Sequence, residues 1–148
     1  SVNGFRAGLG GHYYSAAKAA SIHLTRCAAM ELGEQGIRVN TISPGMIATG
    51  AFGKHAGMHS DDADDHPEYA EAAISSVVPR WQPLQRVGHV DDVAQAALFL
   101  ASDASRFVTG HNLVVDGGIS AGWPIAAARP DRELFFRTIQ ASVSVHPA

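Results

Sequence analysis

Residues 13–33 read as one long helix. Ala16, Ala17, Ala19, Ala20, Ala28 and Ala29 are strong helix formers. Ile22, Leu24, Cys27, Met30 and Leu32 put apolar surface on more than one side. A helix apolar around much of its girth is expected to lie under a sheet on one face and other cover elsewhere. Gly33 and Gly36 end it. Ile37 to Ile42 is short and β-branched and predicts a strand, stopped by Ser43-Pro44-Gly45. Residues 46–66 carry no clear period. Pro67 suits the first position of a second helix, expected to reach Val78 and stop before Pro79. Asp91 and Asp92 favour the first turn of a third helix through the helix dipole. Val93, Ala96, Ala97 and Leu100 then form its apolar stripe. Asn112 to Val115 predicts a second strand, and residues 131–142 a final amphipathic helix.

Strands separated by helices imply parallel pairing through crossovers, so the fold class is α/β. Two strands do not make a stable parallel sheet, which needs neighbours and cover on both faces. The pattern therefore predicts further strands supplied from outside these residues.

Composition narrows the function classes. The chain has 148 residues, 46% hydrophobic and 17% charged, as in ordinary globular proteins. A net charge of -3 gives no basic footprint for nucleic acid. No apolar run reaches the ~20 residues that span a membrane, and no signal-peptide pattern opens the chain. The single cysteine, Cys27, excludes an internal disulfide and fits a reducing cytoplasm. Its apolar helical neighbours predict a buried, inert thiol.

Tyr14 and Lys18 stand four residues apart on the first helix, so both emerge on one face. A free phenol titrates near ~10, and a neighbouring ammonium favours the phenolate. The pair is a candidate acid/base. On its own it is more often a ring covering a lysine stem, since perturbed groups mark sites only statistically. Tyr13 lacks a cation at i+4, where Ala17 stands, so only Tyr14 fits.

Further residues sharpen the reading. Ser1-Val2-Asn3-Gly4 precedes Tyr14, with Ser1 thirteen residues upstream. Ile37-Arg38-Val39-Asn40 leads to Pro44-Gly45 and Thr49. Arg86 and Gly88 precede Asp91-Asp92-Val93-Ala94 and Phe99-Leu100-Ala101-Ser102-Asp103. Thr109-Gly110 precedes Val115-Asp116-Gly117-Gly118. In this order they resemble the C-terminal half of a classical short-chain dehydrogenase/reductase, with Tyr14 to Lys18 as its Tyr-x-x-x-Lys. The resemblance runs from Ser1 to about Gly118. It implies the C-terminal part of a doubly wound, Rossmann-type parallel sheet whose N-terminal half is absent. Residues 1–120 would be that half-domain, and 121–148 a tail packing on the body or a neighbouring subunit.

The resemblance implies an NAD(P)-dependent oxidoreductase acting on a secondary alcohol or ketone. Tyr14 would be the acid/base, Lys18 would bind the nicotinamide ribose, and Ser1 would hold the substrate oxygen. Pro44, Gly45 and Ile47 would meet the carboxamide, with Thr49 near it or the pyrophosphate. The cofactor is NAD or NADP, with a lean to NAD, because the selecting residue would lie upstream. Gly8-Leu9-Gly10-Gly11 is no phosphate loop: G-x-G-x-x-G needs glycine where Tyr13 stands. Ile47, Phe52, Met58, Ile74, Val77, Val78, Trp81 and Leu84 could line an apolar pocket for a hydrophobic or cyclic substrate, although Ile74, Val77 and Val78 could equally pack their helix down. A homotetramer is expected from the resemblance, and a cytoplasmic location from the single cysteine. The alternatives are a truncated, non-catalytic interaction module and an NADP-dependent acyl-thioester ketoreductase. The chain alone is expected to be inactive. His55, His59 and His66 flank Asp61, Asp62, Asp64 and Asp65, but without ligand spacing this reads as a solvated loop rather than a metal site. The remaining histidines, His12, His23, His89, His111 and His146, read as surface or packing residues.

Overall fold

A computed structural model describes residues 1–51 and 66–144. Its elements in chain order are α1 (His12–Leu32), β1 (Thr41–Pro44), α2 (Pro67–Trp81), α3 (Val90–Ala101), β2 (Asn112–Val115) and α4 (Ile125–Ser144). Short 3-10 turns cover Val2–Gly4, Gly33–Gln35 and Asp103–Ser105. Among the described residues no helix is long and apolar enough to cross a membrane.

Strands β1 and β2 pair in parallel, with Thr41 opposite Asn112 and Pro44 opposite Val115. The ladder is closed by Thr41 N–H donating to the His111 carbonyl at 3.0 Å and Gly45 N–H donating to the Val115 carbonyl at 2.9 Å. Ser43 is fully buried and donates to Asn112 Oδ1 at 2.6 Å, so its hydroxyl is satisfied inside the sheet.

The first strand begins later than the sequence predicts. Residues 38–40 spend their polar groups on the segment from 102 to 111. Arg38 donates to the Ser105 hydroxyl at 2.9 Å, the Val108 carbonyl at 3.3 Å and the Ser102 carbonyl at 3.2 Å. Asn40 donates to the Val108 carbonyl at 2.9 Å and accepts from His111 N–H at 3.0 Å. The Asn40 side chain thus takes the Val108 carbonyl and the His111 N–H, and Val39 N–H goes to the Thr109 hydroxyl, so regular ladder pairing starts only at Thr41.

Helix α2 runs through Pro79 to Trp81 rather than stopping before the proline. An internal proline costs about 3 kcal/mol. Burial of Ile74 and Val78 against Val87, with Met46 and Ala48 alongside, holds the last turn helical. Gln82 N–H then bonds the Val78 carbonyl. Helix α4 likewise starts at Ile125 and contains Pro130. Buried Pro124 anchors its start, its carbonyl accepting from both Ala127 and Ala128 N–H at 3.0 Å.

Helix α1 buries only Ile22 and Ala29. Cys27, expected inside, is exposed, as are Leu24 and Met30. The expected cover on two faces of α1 is not supplied by the described residues. On α3, Val93, Ala96 and Leu100 are half-buried while Ala97 is exposed. From Arg129 to Ala141 every side chain of α4 is exposed, so the tail touches the body mainly through its first turn.

Candidate active site

Ser1 caps the first 3-10 turn, its hydroxyl oxygen accepting from Asn3 N–H at 3.2 Å. Val2 is buried and pins the turn down. Gly4 lets the turn close on α1. A Cβ there would stand 2.8 Å from the carbonyl carbon and oxygen of Lys18 and 2.5 Å from Ile22 Cδ1. The Ser1 turn therefore sits directly on the helical turn that carries Lys18.

Tyr14 is half exposed, and the Lys18 ammonium lies 5.3 Å from the centre of its ring. This is cation–π distance, worth about 0.5–1 kcal/mol at an exposed site.

After β1 the chain turns through Pro44 to Thr49. Gly45 lies so close to β2 that a Cβ would meet the Asp116 main chain at 2.7 Å. Beyond it, Ile47 forms an isolated parallel bridge with Gly88. Gly88 N–H donates to the Met46 carbonyl at 3.2 Å, and Ala48 N–H donates to the Gly88 carbonyl at 2.8 Å. The bridge uses the flanking groups, so the N–H and C=O of Ile47 itself point to the opposite edge.

A single open cleft of about 520 Å³ gathers Ser1, Tyr14, Lys18, Pro44, Gly45, Ile47 and Thr49. Every site residue expected from the sequence thus lines one space. Ile42, Val90 and Val93 complete its wall. These three were not readable as site residues. Val93 shows only as part of the α3 stripe, and nothing local to residue 90 indicates that it lines the cleft. Of the expected apolar pocket, Ile47 lines the cleft, while Ile74 and Val78 pack α2 down and Val77 and Leu84 are exposed. Trp81 instead meets Trp123, with ring centres 6.4 Å apart. Phe52 and Met58, together with His55, His59 and the aspartates at 61, 62, 64 and 65, lie outside the described residues. Among the described residues no cluster could hold a metal ion.

The loop entering α3 is held by one ion pair. Both Arg86 terminal nitrogens donate to the Asp92 carboxylate, each at 2.7 Å, and Asp92 also accepts from His89 N–H at 2.9 Å. The Arg86 guanidinium, followed by the His89 N–H, holds the Asp92 carboxyl well below the usual carboxylate range. Asp92 in turn raises the Arg86 pKa.

The fold and the cleft place the chain in a class that the comparisons identify. The profile of the family described as Enoyl-(Acyl carrier protein) reductase matches residues 1–120. Short-chain dehydrogenase reductase ATA1 of Arabidopsis thaliana is 43% identical over 128 residues, covering 82% of this chain and 44% of that protein. A solved structure of 4-hydroxyisoleucine dehydrogenase complexed with NADH superposes with a TM-score of 0.62 at 38% identity, covering 82% of this chain and 44% of that one. ElxO with NADP bound superposes with a TM-score of 0.63 at 34% identity, covering 82% and 44%. The chain belongs to the short-chain dehydrogenase/reductase family. It spans less than half the length of curated relatives it matches.

Proposed function

We propose that the protein carrying this chain is an oxidoreductase that moves hydride between a nicotinamide cofactor and a secondary alcohol or ketone. The observation that carries this reading is the convergence of Ser1, Tyr14 and Lys18 with the 44–49 turn in one cleft. The residues fit such a cofactor: Lys18 offers ammonium donors beside Tyr14, and Ile47 offers a backbone donor and acceptor that its bridge leaves unused. Relatives are seen with NADH and with NADP, so either is the cofactor class. When bound, the nicotinamide supplies the hydride chemistry.

The chain's own residues handle the proton. Tyr14 donates its phenolic proton to the carbonyl oxygen in reduction and takes it back from the alcohol in oxidation. Lys18 places a positive charge over the Tyr14 ring, within reach of the same cleft. Asn3 N–H already occupies the Ser1 oxygen as an acceptor, which leaves the Ser1 hydroxyl proton free to hold the substrate oxygen near Tyr14. Ile42, Ile47, Val90 and Val93 give the cleft apolar walls, which supports a hydrophobic substrate.

Tyr14→Phe tests this directly. It removes one oxygen and the transferable proton while keeping the ring under Lys18. Loss of positioned acid/base catalysis lowers turnover by about 10²–10⁴-fold. Turnover near that of the parent enzyme, with circular dichroism unchanged, refutes the proton role.

A further inference from the structure

We propose that Arg86 and Asp92 are positioning residues for the Ile47 wall of the cleft, bracing the backbone that presents Ile47 to the nicotinamide. This rests on the oxidoreductase reading above. The brace is visible group by group. Gln82 donates to the Arg86 carbonyl at 2.8 Å, and the Arg86 guanidinium donates to the Val87 carbonyl at 3.1 Å. Asp92 receives both Arg86 terminal nitrogens and the His89 N–H. Gly88, held between these ties, spends its N–H and C=O on Met46 and Ala48, the two neighbours of Ile47. Space at this point is tight, because a Cβ on Gly88 would stand 2.8 Å from the Met46 carbonyl oxygen and 2.6 Å from Ile47 Cδ1. A shift of the 86–89 segment is therefore passed to Ile47 rather than absorbed.

The same ion pair reaches the opposite wall. Asp92 lies in the first turn of α3 between Val90 and Val93, and both valines line the cleft with Ile47. One carboxylate thus fixes the separation between two parts of the cleft. The pair itself is a surface feature, with side chains 58% and 29% exposed for Arg86 and Asp92. Such pairs add little to global stability. Its effect is local, on where Ile47 stands.

Asp92→Asn separates these roles in the protein as its natural gene encodes it. Neutralising the carboxylate weakens both Arg86 bonds while leaving an amide at the same helix position. Residue-resolved hydrogen exchange should accelerate at Ala48 and Gly88 by about tenfold, while the ladder amides of Thr41 and Gly45 keep their parent rates. The cofactor KM should rise by about tenfold with kcat within about twofold, since losing a binding contact raises KM while the proton-handling residues stay in place. Asp92→Glu keeps the charge and should restore most of both readouts. Unchanged exchange at Ala48 and Gly88, equal acceleration at Thr41 and Gly45, or a fall in kcat with cofactor KM unchanged overturns the proposal. The exchange result needs no turnover. If the protein shows no oxidoreductase activity, the proposed function fails while exchange still decides whether the brace exists.

Discussion

Replacing Gly4 by alanine tests how Ser1 is held against α1. The added Cβ would sit 2.8 Å from the carbonyl carbon and oxygen of Lys18 and 2.5 Å from Ile22 Cδ1. Ordinary contact begins at 3.4 Å, so the main-chain approach is short by roughly 0.6 Å. Lys18 lies inside α1 and cannot yield without breaking helix bonds. Ile22 is 7% exposed and has little room to swing. The lighter piece, the Val2–Gly4 turn, must move away, and Ser1 moves with it. Overpacking of this kind costs about 1–3 kcal/mol of stability. A misplacement of ~1 Å can cost about 10²-fold in rate, so a shift near 0.6 Å should lower turnover by about tenfold. Urea unfolding measures the first effect and steady-state kinetics the second. Gly33→Ala is the control, because nothing lies within 4 Å of its Cβ position and its φ is -61°. It should be neutral or slightly stabilising. If Gly4→Ala matches the parent in midpoint and turnover, the close packing of the Ser1 turn on Lys18 does not exist as described.

Arg38→Met removes three hydrogen bonds from a guanidinium to the 102–108 segment and should cost about 2 kcal/mol. An unchanged unfolding midpoint in that variant would show that the tie contributes nothing. The Asp92 carboxyl is held low when folded, so its stabilisation is fully present above the unfolded value of about 4 and is lost as pH falls through the folded value. The melting gap between the parent and Asp92→Asn, small because the pair is exposed, should therefore stay constant from pH ~8 to ~4 and narrow only below that. A gap that closes between pH 7 and 5 contradicts the assignment.

The sequence made some of this architecture legible and hid the rest for identifiable reasons. Helices α1 and α3 and strand β2 follow from local signals: alanine content, paired aspartates in the first turn, and a β-branched run between glycines. Strand β1 was displaced because side chains, Thr109 for Val39 N–H and Asn40 for Val108 and His111, take backbone groups that a ladder would use, which no local pattern reveals. Helix α2 outran Pro79 because burial of Ile74 and Val78 outweighs one lost bond. Cys27 was misplaced because the apolar positions around α1 outnumber the partners that these residues provide. In the cleft, the residues recognisable by spacing were readable, since chemistry restricts their type. Ile42, Val90 and Val93 were not, because only their apolar character matters there and many positions share it.

The parallel register of Thr41 with Asn112 carries a consequence for biosynthesis. The two strands are separated by about seventy residues, and at 5–20 residues per second synthesis of that stretch takes roughly 4–14 s. During that interval β1 is finished but its β2 partner has not been made. Closing so long a loop also adds entropy cost before any ladder bond forms, and pairings this remote in sequence form slowly. The edge of β1 that β2 will cover thus stays unpaired for seconds on the ribosome. That makes the interval before β2 emerges the period when this chain most needs protection from aggregation.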